Sequence, residues 1–283
     1  MSSPNTSNRG GGPVVVCVAP NGARRTHGDH PALPMRPHEI AVEAAACADA
    51  GASVIHLHVR DADGGHSLDA RRYRDAMAEI RSAVADRLLI QVTTESVGRY
   101  SPQQQIALLH ELRPEAASVA LRELVPHESA VSKAAWFFEW AQREGVALQY
   151  IVYDADEARR LVSWVRAGIV PHAAPNALFV LGRYTAGQQS APSQLLPFLQ
   201  EWPPEWPWSL CAFGPSEALC MAAAIGLGGH ARVGFENNLH LPDGTLAARN
   251  ADLVANVADI ARRSGRGTAS AAVARQIYGD SRG

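Results

Sequence analysis

The chain is poor in cysteine, with four in 283 residues, and Cys17, Cys47, Cys211 and Cys220 fall at spacings that form neither a disulfide framework nor a thiolate metal motif. Most lie in apolar segments, so reduced, buried thiols are expected. Long hydrophobic runs are missing too: the longest early one, residues 14–19, is too short for a bilayer span or a signal core. Charge of one sign is not in excess, at 26 Lys+Arg against 28 Asp+Glu, and no basic stretch is interleaved with aromatics. Nucleic acid and membrane surfaces are therefore excluded as expected partners, which leaves a cytoplasmic protein that handles small molecules.

A hydrophobic content of 47% supports a sizeable core. Residues 1–12, rich in Ser, Asn and Gly, hold almost no apolar side chain and are expected to form a disordered tail ahead of one domain over 13–283. Within that domain apolar strand segments alternate with helix signals. Strands are expected at 14–19, 53–59, 88–93, 117–121, 147–152, 178–181, 208–212 and 231–234. Helices are expected at 38–50, 69–85, 102–112, 132–144, 155–167, 193–201, 216–226 and 250–264, with a short last one at 269–278 capped by Thr268. Eight strand-then-helix units with no break in composition fit a single (β/α)8 TIM barrel better than a doubly wound sheet, and strands buried on both faces explain their continuous apolar character.

His56 and His58 are the most informative pair. Residues i and i+2 of a strand share a face, so both imidazoles can grip one divalent ion. Solvated histidines at a strand end are the plain alternative. In a barrel the functional residues gather at the C-terminal strand ends, where His56 and His58, residues 93–96 and Glu236 all fall. Strands two and eight flank strand one in a closed barrel, so Glu236 is the third ligand chosen, leaving one coordination position open.

These segments resemble the β-keto acid cleavage enzyme family. The likeness is carried by residues 50–52 (Ala-Gly-Ala) ahead of 56–61 (His-Leu-His-Val-Arg-Asp), by 228–236 (Gly-Gly-His-Ala-Arg-Val-Gly-Phe-Glu), by 179–182 (Phe-Val-Leu-Gly), and by 21–23 (Asn-Gly-Ala) followed by 31–34 (Pro-Ala-Leu-Pro), in one order over nearly the whole chain. The resemblance implies a homo-oligomeric zinc enzyme, dimer or tetramer, that condenses a β-keto acid with acetyl-CoA and releases acetoacetate and a new acyl-CoA. It implies His56, His58 and Glu236 as zinc ligands. Thr93 and Ser118 match hydroxyl-bearing positions, Thr93 for the substrate carboxylate. Ser96 matches a position offering a backbone amide, and Arg232 an arginine that supports an acidic base.

Two departures follow. Asn237 stands where the best-known members carry that acidic base, and an amide cannot take up a proton as a carboxylate does. Glu95, where those members carry glycine, or a water activated by the metal, is the replacement considered. Arg24 stands where members acting on an ammonium-bearing keto acid carry an acidic residue, so the distal group of the substrate is expected to be anionic or neutral. A zinc hydrolase or aldolase on the same barrel, and a metal-binding homologue without its base, are the alternatives.

Overall fold

The structure is a computed structural model that describes residues 11–279. Of the tail expected over 1–12, all but Gly11 and Gly12 lie outside the described residues. The chain runs β1 (Val16–Val18), α1 (Pro37–Ala50), β2 (Val54–Leu57), β3 (Val59–Arg60), β4 (His66–Ser67) and α2 (Ala70–Val84). It continues through β5 (Leu89–Thr93), α3 (Pro102–Leu112), β6 (Ala116–Ala120), α4 (Leu121–Leu124), α5 (Val131–Glu144), β7 (Ala147–Val152) and α6 (Ala155–Arg166). The last third holds β8 (Asn176–Leu181), α7 (Leu196–Glu201), β9 (Trp208–Ala212), α8 (Glu217–Gly226), β10 (His230–Val233), α9 (Asn250–Arg263) and α10 (Ala271–Gly279).

Eight parallel strands close in the order β1-β10-β9-β8-β7-β6-β5-β2, a (β/α)8 barrel with helices between strands, as the alternation of apolar runs and helix signals implied. Cys17 of β1 pairs with Arg232 on one side and Val54 on the other, which puts the end of β10 near the end of β2. Side chains alternate between shell and lumen. Ile55, Leu57, Ile90 and Val92 join the main core beneath the helices. Val15, Cys17, Val54, Leu89 and Ala116 pack with Ala269, Ala274 and Tyr278, so α10 closes the floor of the barrel. Among the lumen residues His56, Gln91, Ser118, Gln149, Ser209 and Arg232 are buried polar groups, unlike the branched apolar filling common in such barrels.

The differences from the sequence reading are local. The strand expected over 53–59 stops at Leu57, and Val59–Arg60 turns away to pair antiparallel with His66–Ser67. Asp61 makes that reversal: its Oδ1 accepts from the Asp63 and Gly65 amides at 3.1 and 2.7 Å, within the expected loop 61–65. Leu121, expected to end a strand, begins α4. Thr268 bridges to Val14 rather than capping, and Ser270 Oγ accepts from the Val273 amide at 3.3 Å as the cap of α10. The four cysteines are free and buried. No helix among the described residues is long and apolar enough to cross a membrane.

Candidate active site

At the C-terminal mouth of the barrel the His56 and His58 Nε2 atoms lie 3.0 Å apart. Glu236 Oε2 sits 3.3 Å from His58 Nε2 and 3.8 Å from His56 Nε2. Donors bound at about 2.0–2.2 Å to one tetrahedral ion are about 3.3–3.6 Å apart, so the trio has the spacing of a ligand set. Glu236 Oε2 is buried and has no hydrogen-bond partner, as expected of an atom reserved for a cation. Two imidazoles and a carboxylate suit a borderline divalent ion, and among the described residues this is the one group of three donors close enough to hold it.

The backbone leaves Glu236 little freedom. Gly234 adopts φ of 130°, and a Cβ there would meet the Ala19 carbonyl oxygen at 2.4 Å. The same carbonyl accepts from the Glu236 amide at 3.1 Å. Gly22 lies against the glutamate stem, where a Cβ would fall 2.5 Å from Glu236 Cγ. Arg232, on β10 and four residues earlier, donates from Nη2 to Glu236 Oε1. Burial alone would raise the Glu236 pKa, yet Arg232 and then His58 hold it well below the ordinary carboxylate range. Burial likewise works against the charge on Arg232, and Glu236 reverses it, so the guanidinium is held above its usual pKa.

Two supporting residues escaped the sequence reading. Arg60 donates from Nη2 to the carbonyls of Gly22, Arg25 and Asn21 at 2.6, 2.9 and 3.3 Å, fastening the β1–α1 loop over the site. His66 donates from Nε2 to the Glu95 carbonyl at 2.9 Å, and its ring lies 5.1 Å from that of His58. Burial, then the nearby His58, depresses its pKa to about 3, so it is a neutral donor. Arg60 belongs to the quoted histidine run, but its partners on a distant loop left no trace in spacing.

The remaining expected site residues separate into groups. Thr93 and Ser118 pair in register on β5 and β6. Thr93 Oγ1 accepts from the Glu95 amide at 3.1 Å, which leaves its proton to donate, and Ser118 Oγ is buried without a partner. Glu95 Oε1 lies 3.2 Å from Arg183 Nη2 and 3.8 Å from Arg24 Nη2, so these two arginines and the glutamate form one cluster. The Ser96 amide, expected to serve the substrate carboxylate beside Thr93, donates here to Glu123 Oε2 at 2.9 Å, because α4 swings that carboxylate up against the loop. Asn237 is fully buried, and neither side-chain amide atom has a hydrogen-bond partner. His230, one residue ahead of the strand expected over 231–234, opens β10 at the floor, where Nδ1 accepts from the Val15 amide at 3.1 Å.

Beneath the Glu236 loop, Glu217 of α8 is buried, with Oε2 accepting from Asn238 Nδ2 at 3.2 Å and Oε1 unpartnered. Burial raises its pKa well above the ordinary carboxyl value despite hydrogen bonds from Asn238 and the Gly234 amide. Between the unfolded and folded values the native state keeps a proton that the unfolded chain has released, so stability falls as pH rises through that window. Glu217→Gln, which cannot ionise, should therefore raise the melting temperature at neutral pH, by roughly 2–4 °C for about 1 kcal/mol of ionisation cost removed. Near pH 4 the two proteins should melt alike; a variant equally or less stable at pH 7 contradicts the assignment.

A closed barrel with a His-His-carboxylate trio at its C-terminal mouth defines the class of protein. The beta-keto acid cleavage enzyme family model matches residues 13–279, and the chain belongs to that family. It is 32% identical over 273 residues to a 3-keto-5-aminohexanoate cleavage enzyme of Fusobacterium nucleatum, spanning 93% of this chain and 97% of the relative. It is 28% identical over 275 residues to a 3-oxoadipate:acetyl-CoA acetyltransferase of Cupriavidus necator, spanning 94% and 95%. Among solved structures the apo structure of ObcA superposes with a TM-score of 0.70 at 18% identity over 88% of this chain and 66% of that one, a likeness of fold.

Proposed function

We propose that this enzyme is a zinc-dependent β-keto acid cleavage enzyme that condenses its substrate with acetyl-CoA and yields acetoacetate and a new acyl-CoA, preferring a keto acid whose distal group is anionic or neutral. The observation that carries this reading is the convergence of His56 Nε2, His58 Nε2 and Glu236 Oε2 at the mouth of the barrel. Held there, zinc would supply Lewis-acid polarisation of the 3-oxo group and neutralise developing enolate charge.

The chain's own residues do the rest. Thr93, whose oxygen is already occupied by the Glu95 amide, donates its proton to the substrate carboxylate, and Ser118, a buried hydroxyl without a partner, donates beside it. Arg232 keeps Glu236 ionised and correctly turned. With Asn237 unable to accept a proton, Glu95 takes one from C2 of the keto acid, and the carbanion attacks the thioester carbonyl and expels CoA thiolate; the thiolate adds to the 3-oxo carbon, the C2–C3 bond breaks to leave the new acyl-CoA, and Glu95 returns its proton to the departing acetoacetate carbanion. Arg183 and Arg24 bracket Glu95 and leave positive charge at the rim for a distal carboxylate. The relative named for 3-oxoadipate sets a precedent for a dicarboxylate.

A panel of β-keto acids with anionic, neutral and cationic ends, assayed with acetyl-CoA for acetoacetate after metal analysis, tests the proposal. The anionic or neutral members should turn over, and Arg24→Glu should move preference toward the cation. Tightly held metal with no acetoacetate from any member rejects the activity and leaves a metal-binding homologue without its base; a wild-type preference for the cation rejects the specificity.

A further inference from the structure

The lumen contains a chain of side-chain amides that ends on a ligand of the metal site, and it rests on the metal reading above. His56 Nδ1 faces Gln91 Oε1 at 2.8 Å. Gln91 Nε2 donates to Gln149 Oε1 at 3.1 Å. Gln149 Nε2 in turn points at three acceptors, Asn176 Oδ1 at 3.2 Å, Ser209 Oγ at 3.3 Å and Tyr278 OH at 3.2 Å. Every member is buried.

We infer that Gln149, backed by Tyr278 of the floor helix α10, is a positioning residue for the metal site, selecting the tautomer of His56 that leaves its Nε2 lone pair free for the ion.

The direction of each amide decides where the ring proton sits. A primary amide has one accepting and one donating end, and turning it over exchanges them. A carbonyl oxygen facing His56 Nδ1 puts the ring proton on Nδ1; an NH2 group facing it would put the proton on Nε2, where it blocks coordination. Gln91 touches the ring but does not set its own direction, because either end can meet an imidazole nitrogen. Gln149 sets it by presenting Oε1 to Gln91 Nε2. Gln149 Nε2 is held across the lumen by the Asn176 amide oxygen and by the Ser209 and Tyr278 hydroxyl oxygens, the last on α10. The two glutamines meet across β6, where the residue paired with Gln91 is Ala116, whose methyl leaves the lumen open between them. With the layer buried, water does not stand in for a missing partner.

The test uses protein with its histidines labelled by 15N. Long-range 1H–15N correlation spectra of the chelator-treated protein read the His56 tautomer, and competition with a chromophoric chelator reads Zn2+ affinity. Wild type should show Nδ1–H at His56 and bind one Zn2+. Gln149→Met should populate Nε2–H and weaken Zn2+ binding about 10-fold or more, the low end expected for outer partners of a ligand. Combining Gln149→Met with Gln91→Glu should restore Nδ1–H, because a carboxylate accepts whichever way it is turned. Unchanged tautomer and affinity in a folded Gln149→Met protein overturn the inference, as does Nε2–H in wild type. Should Gln149→Met not fold, Tyr278→Phe, which deletes one oxygen, decides by whether Nε2–H appears or the wild-type pattern persists. Wild type that shows Nδ1–H yet binds no Zn2+ sinks the metal reading while leaving the tautomer assignment standing.

Discussion

Glu236→Gln should strip the site of metal and abolish turnover. The amide keeps the shape of the side chain but loses the anionic donor, so two neutral imidazoles remain to hold the ion. Losing polarisation worth several kcal/mol, at about 1.4 kcal/mol per decade, corresponds to a fall in kcat/KM of about 10³-fold or more. A second effect accompanies it. Arg232 is buried and its Nη2 is bonded to Glu236, so removing the carboxylate strands a desolvated cation. Stranding one partner of a buried pair costs about 3–5 kcal/mol, which should appear as a lower melting temperature even in the metal-free protein. Metal content by mass spectrometry of the native protein, steady-state kinetics and thermal melts separate the two. Near-normal metal occupancy in a folded Glu236→Gln protein would remove Glu236 from the ligand set.

Arg232→Met tests the other half of that pair and should give a different pattern. Methionine fills much of the space without charge, leaving the Glu236 carboxylate buried and without its counter-ion. In metal-free protein the loss should be about 3–5 kcal/mol. Adding Zn2+ should restore more stability than it does in wild type, because the bound cation replaces the missing charge. Activity should still fall about 10²- to 10³-fold, the scale on which a single preorganised electrostatic group acts. Arg232→Lys should recover charge but not the fixed geometry of the guanidinium, and so should lie between. A Zn2+-induced rise in melting temperature no larger than in wild type argues that Arg232 serves the substrate instead of Glu236.

Much of the architecture could be read from periodicity, because each strand is buried on both faces and each helix carries one apolar side. The reading failed where long-range contacts override propensity. Val59 looks like the end of a strand, yet the Asp61 turn hands it to His66–Ser67. Leu121 continues an apolar run, yet it opens α4 and brings Glu123 to the Ser96 amide, which changes what that loop can offer a substrate. Thr268 has the chemistry of a cap and is used instead in a bridge to Val14. At the site, the histidine pair was visible since its geometry is set by two residues of one strand. Arg60, His66, Gln91 and Gln149 were not, since their partners lie on other elements and carry no spacing rule.

By itself the sequence determined the eightfold alternation of elements and the shared face of His56 and His58, because strand and helix periods are properties of neighbouring residues. Only the closed barrel decided that Glu236 would reach those histidines, since the pairing of β1 with both β10 and β2 joins the two ends of the chain. The same closure turned polar side chains from separate strands into one buried chain of amides. The free energy that holds these groups together belongs to the packing of the whole lumen, and no window of consecutive residues contains it.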